Sequence, residues 1–165
     1  MTIAVSRRSL FAAAALMPLT LVSPALAGAA HDAQMRDDFP WLARYAAANA
    51  TLIASGKPVG TVFMGDSITE GWQSKHPDFF VNTSHVCRGI SGQTTPQMVL
   101  RMMADVVHLK PRAVHVMAGT NDIAGNTGPM TPEQTQDNLQ MMTEVAQAAK
   151  IDVLLASIPP SAAFP

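Results

Sequence analysis

The chain has 165 residues, 48% of them apolar and 14% charged, with a formal net charge of −1. That size suits one domain with a real core rather than two, and the apolar share excludes a disordered or highly charged chain. Lys and Arg do not cluster beyond the first residues, so nucleic acid is not expected as a partner.

Ser6-Arg7-Arg8-Ser9-Leu10-Phe11 is followed by an apolar run to about Val22 and then by the small residues Ala25-Leu26-Ala27. A basic start, an apolar stretch and a small-residue cleavage site read as an export signal over residues 1–27, and the paired arginines favour the twin-arginine type over an ordinary secretory signal. The run is short and broken by Pro18 and Pro24, which argues against a stable membrane span. The mature protein is expected in the periplasm or the medium. Removing Arg7 and Arg8 leaves 9 basic against 12 acidic residues, a net charge near −3. Cys87 is the only cysteine, so no intrachain disulfide is possible, and a thiol in an apolar strand reads as a small core residue.

Residues 28–58 read as an N-terminal helical segment. Asp38-Phe39-Pro40 supplies a helix start, Leu42, Tyr45, Asn49 and Leu52 follow at helical spacing, and Ser55-Gly56-Lys57-Pro58 supplies the stop. Val59 to Met64 is the first expected strand and His85 to Arg88 a second, weaker one. Thr94 and Gln97 have capping-box spacing for a helix whose buried face is Val99, Met102, Met103 and Val106, closed by Pro111. Ala113 to Ala118 is the third strand. Thr131-Pro132-Glu133-Gln134 starts a further helix with the stripe Leu139, Met142, Ala146 and Ala149, and Ile151 to Ser157 is the fourth strand. The helical methionines fall at core spacing, so packing accounts for them better than metal binding does. Continuously apolar strands alternating with helices imply a parallel sheet covered on both faces, an α/β protein with a three-layer α/β/α sandwich.

Three polar motifs follow three of these strands: Gly65-Asp66-Ser67, Gly89-Ile90-Ser91-Gly92-Gln93-Thr94-Thr95 and Gly119-Thr120-Asn121-Asp122. In a parallel sheet the carboxyl ends of the strands share one edge, which is where ligands bind. The chemistry suits acyl transfer. Ser67 is the candidate nucleophile at a helix start, and its N–H, the Gly92 N–H and the Asn121 carboxamide are candidate oxyanion donors. A phosphate-loop reading fails because Trp72 stands where lysine is required, and no G-x-G-x-x-G follows the first strand.

Gly65-Asp66-Ser67-Ile68-Thr69, Gly89-Ile90-Ser91-Gly92 and Gly119-Thr120-Asn121-Asp122 resemble, in order and spacing, the first three blocks of the SGNH (GDSL-type) hydrolase family. The likeness runs from roughly Val59 to the chain end, so the expected domain is 59–165. The resemblance implies a flavodoxin-like sandwich and an esterase, lipase, thioesterase or carbohydrate deacetylase, acting on a small-molecule ester with no metal or cofactor. It makes Ser67 the nucleophile and Gly92 and Asn121 its oxyanion partners, with Asp66 and Asp122 in support and Asp122 bracing the Asn121 loop.

The family's closing Asp-x-x-His block, which supplies the general base and its carboxylate, has no match after the third block; Asp105-Val106-Val107-His108 has that spacing but lies between the second and third blocks. His115 lies within the third strand, roughly 13 Å short of its polar end at about 3.3 Å per residue. His85 and His108 fall at the opposite edge, and His31 is near the expected mature terminus. His76 is two helical turns past Ser67, roughly 12 Å or more away. The expectation is an SGNH domain incomplete at its C-terminus, with little hydrolase activity and an exposed fourth strand. The alternative is a non-catalytic protein binding a small molecule or carbohydrate, and a nucleotide-binding flavodoxin-like module rests on fold alone. Trp72 and Phe79-Phe80 are candidates for lining an acyl or sugar site, with core packing the stronger account of the phenylalanines. Nothing in the sequence specifies an oligomeric state.

Overall fold

Four runs of apolar residues pair in one parallel sheet of order β2-β1-β3-β4: β1 (Thr61–Gly65), β2 (His85–Gly89), β3 (Ala113–Met117) and β4 (Asp152–Leu155). This computed structural model describes residues 24–81 and 83–160, so the expected export signal lies, up to residue 23, outside the described residues. All three strand pairings are parallel, and Phe63 faces Cys87 on one side and His115 on the other.

Because side chains alternate along a strand, the register sorts the core into two layers. On one face Val62 and Met64 of β1 and Val114 and Val116 of β3 pack under α5 (Thr95–Asp105) and α7 (Pro132–Ala148), against Met98, Met102, Met142 and Ala146. The helix α2 (Ala43–Ser55) adds Leu52 to the same layer. On the other face Phe63 and Cys87 lie under Trp72 of α3 (Ser67–Lys75) and Phe79 and Phe80 of α4 (Pro77–Val81). The Phe63 ring meets Trp72 edge-on at 5.3 Å, and Trp72 stacks on Phe79 at 4.6 Å. These aromatics are therefore core, and the sequence expectation of an acyl or sugar site there is replaced by an aromatic cluster beneath the sheet. Helices on both faces of a parallel sheet make the α/β/α sandwich, and the strand order is the flavodoxin-like one.

Helix starts follow the expected chemistry. In α7 the Thr131 N–H donates to Gln134 Oε1 at 2.9 Å while the Gln134 N–H donates to Thr131 Oγ1 at 3.3 Å. At α5 the Thr94 N–H donates to Gln97 Oε1 at 3.1 Å. Asp38 accepts the N–H groups of Leu42 and Ala43, so the residue read as a helix start caps α2 from five residues ahead of its first turn. Preceding it, α1 (Pro24–Asp37) spans the expected signal boundary at residue 27.

The buried face of α5 differs from expectation. Met98, Arg101, Met102 and Asp105 are buried, whereas Met103 is 50% exposed. The reason is a buried polar network that an apolar periodicity cannot reveal. Arg101 Nη1 pairs with Asp105 Oδ2 at 2.7 Å, Asn49 Nδ2 donates to Asp105 Oδ1 at 2.6 Å, and Arg88 Nη2 donates to Asn49 Oδ1 at 2.6 Å. Asn49, read as part of a helical stripe, is thus the link between α2, β2 and α5. On α7 the stripe stops short, since Ala149 is exposed while Met142 and Ala146 are buried.

At the sheet edge Leu154 and Leu155 of β4 are 54% and 57% exposed. Among the described residues no helix is long and apolar enough to cross a membrane.

Candidate active site

The sheet order reverses between β1 and β3, which opens a crevice beyond their carboxyl ends. Ser67 follows β1 there as the first residue of α3, with an exposed side chain. Asp66 is the cap of that helix: its Oδ1 accepts the Ile68 N–H at 2.9 Å. Capping with a carboxylate satisfies one orphan donor and places negative charge at the positive helix end. Asp66 is almost fully buried, and burial pushes its carboxyl above the usual range; the Ile68 N–H opposes this and the nearby Asp122 charge adds to it.

Asn121 begins to close the crevice from β3. It lies in the short helix α6 (Thr120–Ile123), and its Nδ2 donates to the Gln93 carbonyl at 2.9 Å and to Asp66 Oδ2 at 3.3 Å. One carboxamide therefore touches the loops after β1 and β2. Asn126 completes the web, with Nδ2 donating to Asn121 Oδ1 and to the Gly92 carbonyl, both at 3.0 Å. Gly92 has φ of 80°, in the left-handed region where other residues are strained, so glycine is the residue that fits this turn. Among the described residues, no hydrogen bond takes up the N–H of Ser67 or of Gly92.

Asp122 points the other way. It is buried and accepts the Thr95 N–H at 3.0 Å, the Thr95 hydroxyl, and the Thr135 hydroxyl at 3.4 Å. These bonds fasten the Asn121 segment to the starts of α5 and α7. Gly89, at the end of β2, lies against α3 so closely that an added Cβ would collide with the Glu70 backbone nitrogen.

Several neighbours were not singled out in the sequence. Glu70, one turn after Ser67, accepts the Ser91 N–H at 2.8 Å and the Ser91 hydroxyl, and pairs with Arg44 at 2.9 Å. Partial burial would raise its carboxyl, but the Ser91 and Arg44 hydrogen bonds outweigh that and hold it below the usual range. Tyr45 donates to the Gly89 carbonyl at 2.5 Å, and burial pushes its phenol up to about 12. Glu70 had a readable signal, being three residues past the candidate nucleophile on a helix. Asn126 had only its position in the turn Gly125-Asn126-Thr127-Gly128.

The histidines are placed apart. His115 is within β3 against Phe63, ring centroids 5.2 Å apart, and burial lowers its pKa. His85 opens β2 with its ring 3.3 Å from the Phe79 carbonyl, His108 is in the 3-10 turn Val107–Leu109, and His76 ends α3. His31 sits on α1 and lines a cleft together with Gly92. Among the described residues, no hydrogen bond joins the Ser67 hydroxyl to an imidazole. Among them, too, no group of His, Cys, Asp and Glu could hold a metal ion.

A parallel α/β sandwich with a serine, a glycine and an asparagine gathered at its switch point defines a class, and comparison with known proteins identifies which. Residues 63–165, more than half of the chain, match the GDSL-like lipase/acylhydrolase family. The chain belongs to that family, whose fold is the SGNH hydrolase sandwich. A GDSL-like lipase from Bacteroides thetaiotaomicron is similar at 47% identity and a TM-score of 0.73, over 78% of this chain and 63% of that one. A Bacteroides fragilis protein assigned to the acylhydrolases is similar at 46% identity and a TM-score of 0.68, over 72% of this chain and 57% of that one. The matched part thus spans less than two thirds of either relative. No curated protein compared with it matches.

Proposed function

We propose that this protein is a serine ester hydrolase in which Ser67 attacks the ester carbonyl and the N–H groups of Ser67 and Gly92, with the Asn121 carboxamide, receive the oxyanion. One observation supports the reading: Asn121 and Asn126 tie together the loops that carry an exposed serine at the start of α3 and two backbone N–H groups, of Ser67 and Gly92, without an acceptor. The Ser67 oxygen forms a bond to the acyl carbon, the carbonyl electrons move onto oxygen, and collapse expels the alcohol; water then releases the acid. Neutral donors suit this step because they bind developing charge more strongly than the ground-state carbonyl. Asp66 orients Asn121 and caps α3, and Asp122 holds the Asn121 segment to α5.

Each turnover needs a base to take the Ser67 proton and return it to the leaving alcohol. Since no imidazole reaches Ser67 among the described residues, we propose that the 165-residue chain turns over slowly, by up to about 10⁶ below a complete triad. The same observation favours a second reading, a protein that binds an ester or carbohydrate without hydrolysing it. Residues 1–27 are proposed to export the protein to the periplasm or the medium.

Fluorophosphonate labelling with mass-spectrometric mapping tests the lead reading. Slow modification at Ser67, lost in Ser67→Ala, is the expected result. No modification of the folded protein at any reagent concentration leaves only the binding reading.

A further inference from the structure

The loop after β2 turns at Ile90-Ser91-Gly92-Gln93, where the Gln93 N–H donates to the Ile90 carbonyl at 3.3 Å. Gly92, third of the four, has φ of 80°, the value of a type II turn. A type I turn closes the same hydrogen bond with its central peptide rotated by roughly 150–170°. Here that peptide joins Ser91 to Gly92 and carries the Gly92 N–H. The direction of this donor is therefore set by one peptide flip. Glycine does not settle the choice, since it accepts either sign of φ.

The two flanks of the flip are tied. On the near side the Ser91 N–H donates to Glu70 Oε2 at 2.8 Å, and the Ser91 hydroxyl donates to the same oxygen. On the far side the Gly92 carbonyl accepts Asn126 Nδ2 at 3.0 Å. Between them the Gly92 N–H has no acceptor among the described residues.

Glu70 is well placed to hold its side. It stands three residues after Ser67 on α3, so nucleophile and carboxylate are neighbours on one helix face. Its second oxygen accepts Arg44 Nη2 of α2 at 2.9 Å, which keeps the carboxylate from turning away. Gly89 packs on the Glu70 backbone nitrogen and fixes the end of β2 against α3. A partly exposed ion pair with Arg44 contributes little by itself and leaves the two Ser91 bonds unexplained.

We propose that Glu70 is the positioning residue of the Gly92 donor, its carboxylate locking the Ser91–Gly92 peptide in the orientation that leaves this N–H free for the oxyanion. The role in chemistry rests on the hydrolase reading; the clamp on the turn does not. Two measurements on the 165-residue protein test it: hydrogen exchange over residues 90–94, and fluorophosphonate labelling of Ser67 resolved into a maximal rate and a half-saturating concentration. In Glu70→Ala the exchange is expected to rise and the maximal rate to fall about tenfold or more, with the half-saturating concentration kept, because an oxyanion donor lost outright costs on the order of 10²–10³ in rate. Glu70→Gln retains one acceptor oxygen for Ser91 and should label within about threefold of wild type. Removing negative charge near a developing oxyanion would by itself speed both variants alike, so a slow Ala beside a near-normal Gln separates positioning from charge. Should Glu70→Ala fail to fold by circular dichroism, Ser91→Ala, which loses only the hydroxyl bond, is expected to raise exchange and slow labelling several-fold.

Unchanged exchange in Glu70→Ala, labelling as fast as wild type despite raised exchange, or equal slowing in Gln and Ala overturns the proposal while a labelled wild type leaves the hydrolase standing. A wild type that never labels at Ser67 sinks the hydrolase reading and Glu70's role in chemistry with it; raised exchange in Glu70→Ala then leaves a clamp on the turn and nothing more.

Discussion

Asn121 Nδ2 lies 3.3 Å from Asp66 Oδ2 and 2.9 Å from the Gln93 carbonyl, so both of its hydrogens are engaged within the protein. The contact to Asp66 is the longer and weaker, and it is the one a substrate oxygen would replace. Asp66 also holds the first turn of α3 through Ile68. Asp66→Ala is expected to cost about 1 kcal/mol in urea unfolding from the lost cap. Asp66→Asn keeps a capping oxygen and should stay within a few tenths of that scale of wild type. Fluorophosphonate labelling of Ser67 is expected to slow in both, because each removes the carboxylate that orients Asn121. Unchanged labelling in both variants would detach Asp66 from the chemistry.

Gly89 and Gly71 give opposite outcomes for the same substitution. A Cβ at Gly89 strikes the backbone of α3, which cannot turn aside as a side chain can, whereas a Cβ at Gly71 meets nothing within 4 Å. Gly89→Ala is therefore expected to abolish soluble expression or lower the melting temperature sharply. Gly71→Ala, within α3, should stabilise by up to about 1 kcal/mol through helix propensity. Thermal melts of the two variants side by side make the comparison, and a wild-type melt for Gly89→Ala would contradict the packing described.

The Arg101–Asp105 pair is 0% and 1% exposed, and two arginines share this interior with a single carboxylate. Burial pulls the pKa of both arginines down, and Asp105 opposes it. Asp105→Ala leaves buried positive charge without its partner and is expected to cost about 3–5 kcal/mol in chemical denaturation. The exposed Arg36–Asp37 pair, 71% and 66% accessible, is expected to give less than about 1 kcal/mol when Asp37 is replaced by Ala.

His115 makes stability depend on pH. Its Nδ1 is buried without a partner beside Phe63, and burial lowers its pKa. Below about pH 6.5 the unfolded chain takes up a proton that the folded one resists. Its contribution is therefore full above about 6.5 and is lost as pH falls from there through the depressed folded value. Melting temperatures between pH 7 and pH 5 should fall less steeply in His115→Leu than in wild type. Equal slopes would show that this imidazole titrates alike in both states.

How far the sequence could be read depended on which interaction set each feature. Apolar strands and the motifs behind them are local signals, so β1 to β4, the caps of α5 and α7, and the meeting of the three polar loops were legible from Val62, Thr131 and Asn121 outward. Interactions across the fold were not. Arg101 and Asp105 look like a solvated pair on a helix until Asn49 and Arg88 close over them from two other elements. Trp72 looks like a pocket wall until Phe79 stacks on it. The cleft beside Gly92 draws its walls from α1 and from Asn126, nearly a hundred residues apart, and neither carries a motif.

Cys87 lies 2% exposed under α3, its Sγ 3.4 Å from the Thr69 carbonyl, with burial raising its pKa. As the sole sulfhydryl of the chain, it stays shielded from alkylating reagents for as long as the aromatic layer covers the sheet. Iodoacetamide uptake at this one atom therefore times the opening of that layer, giving the protein a built-in reporter of its own breathing that needs no introduced label.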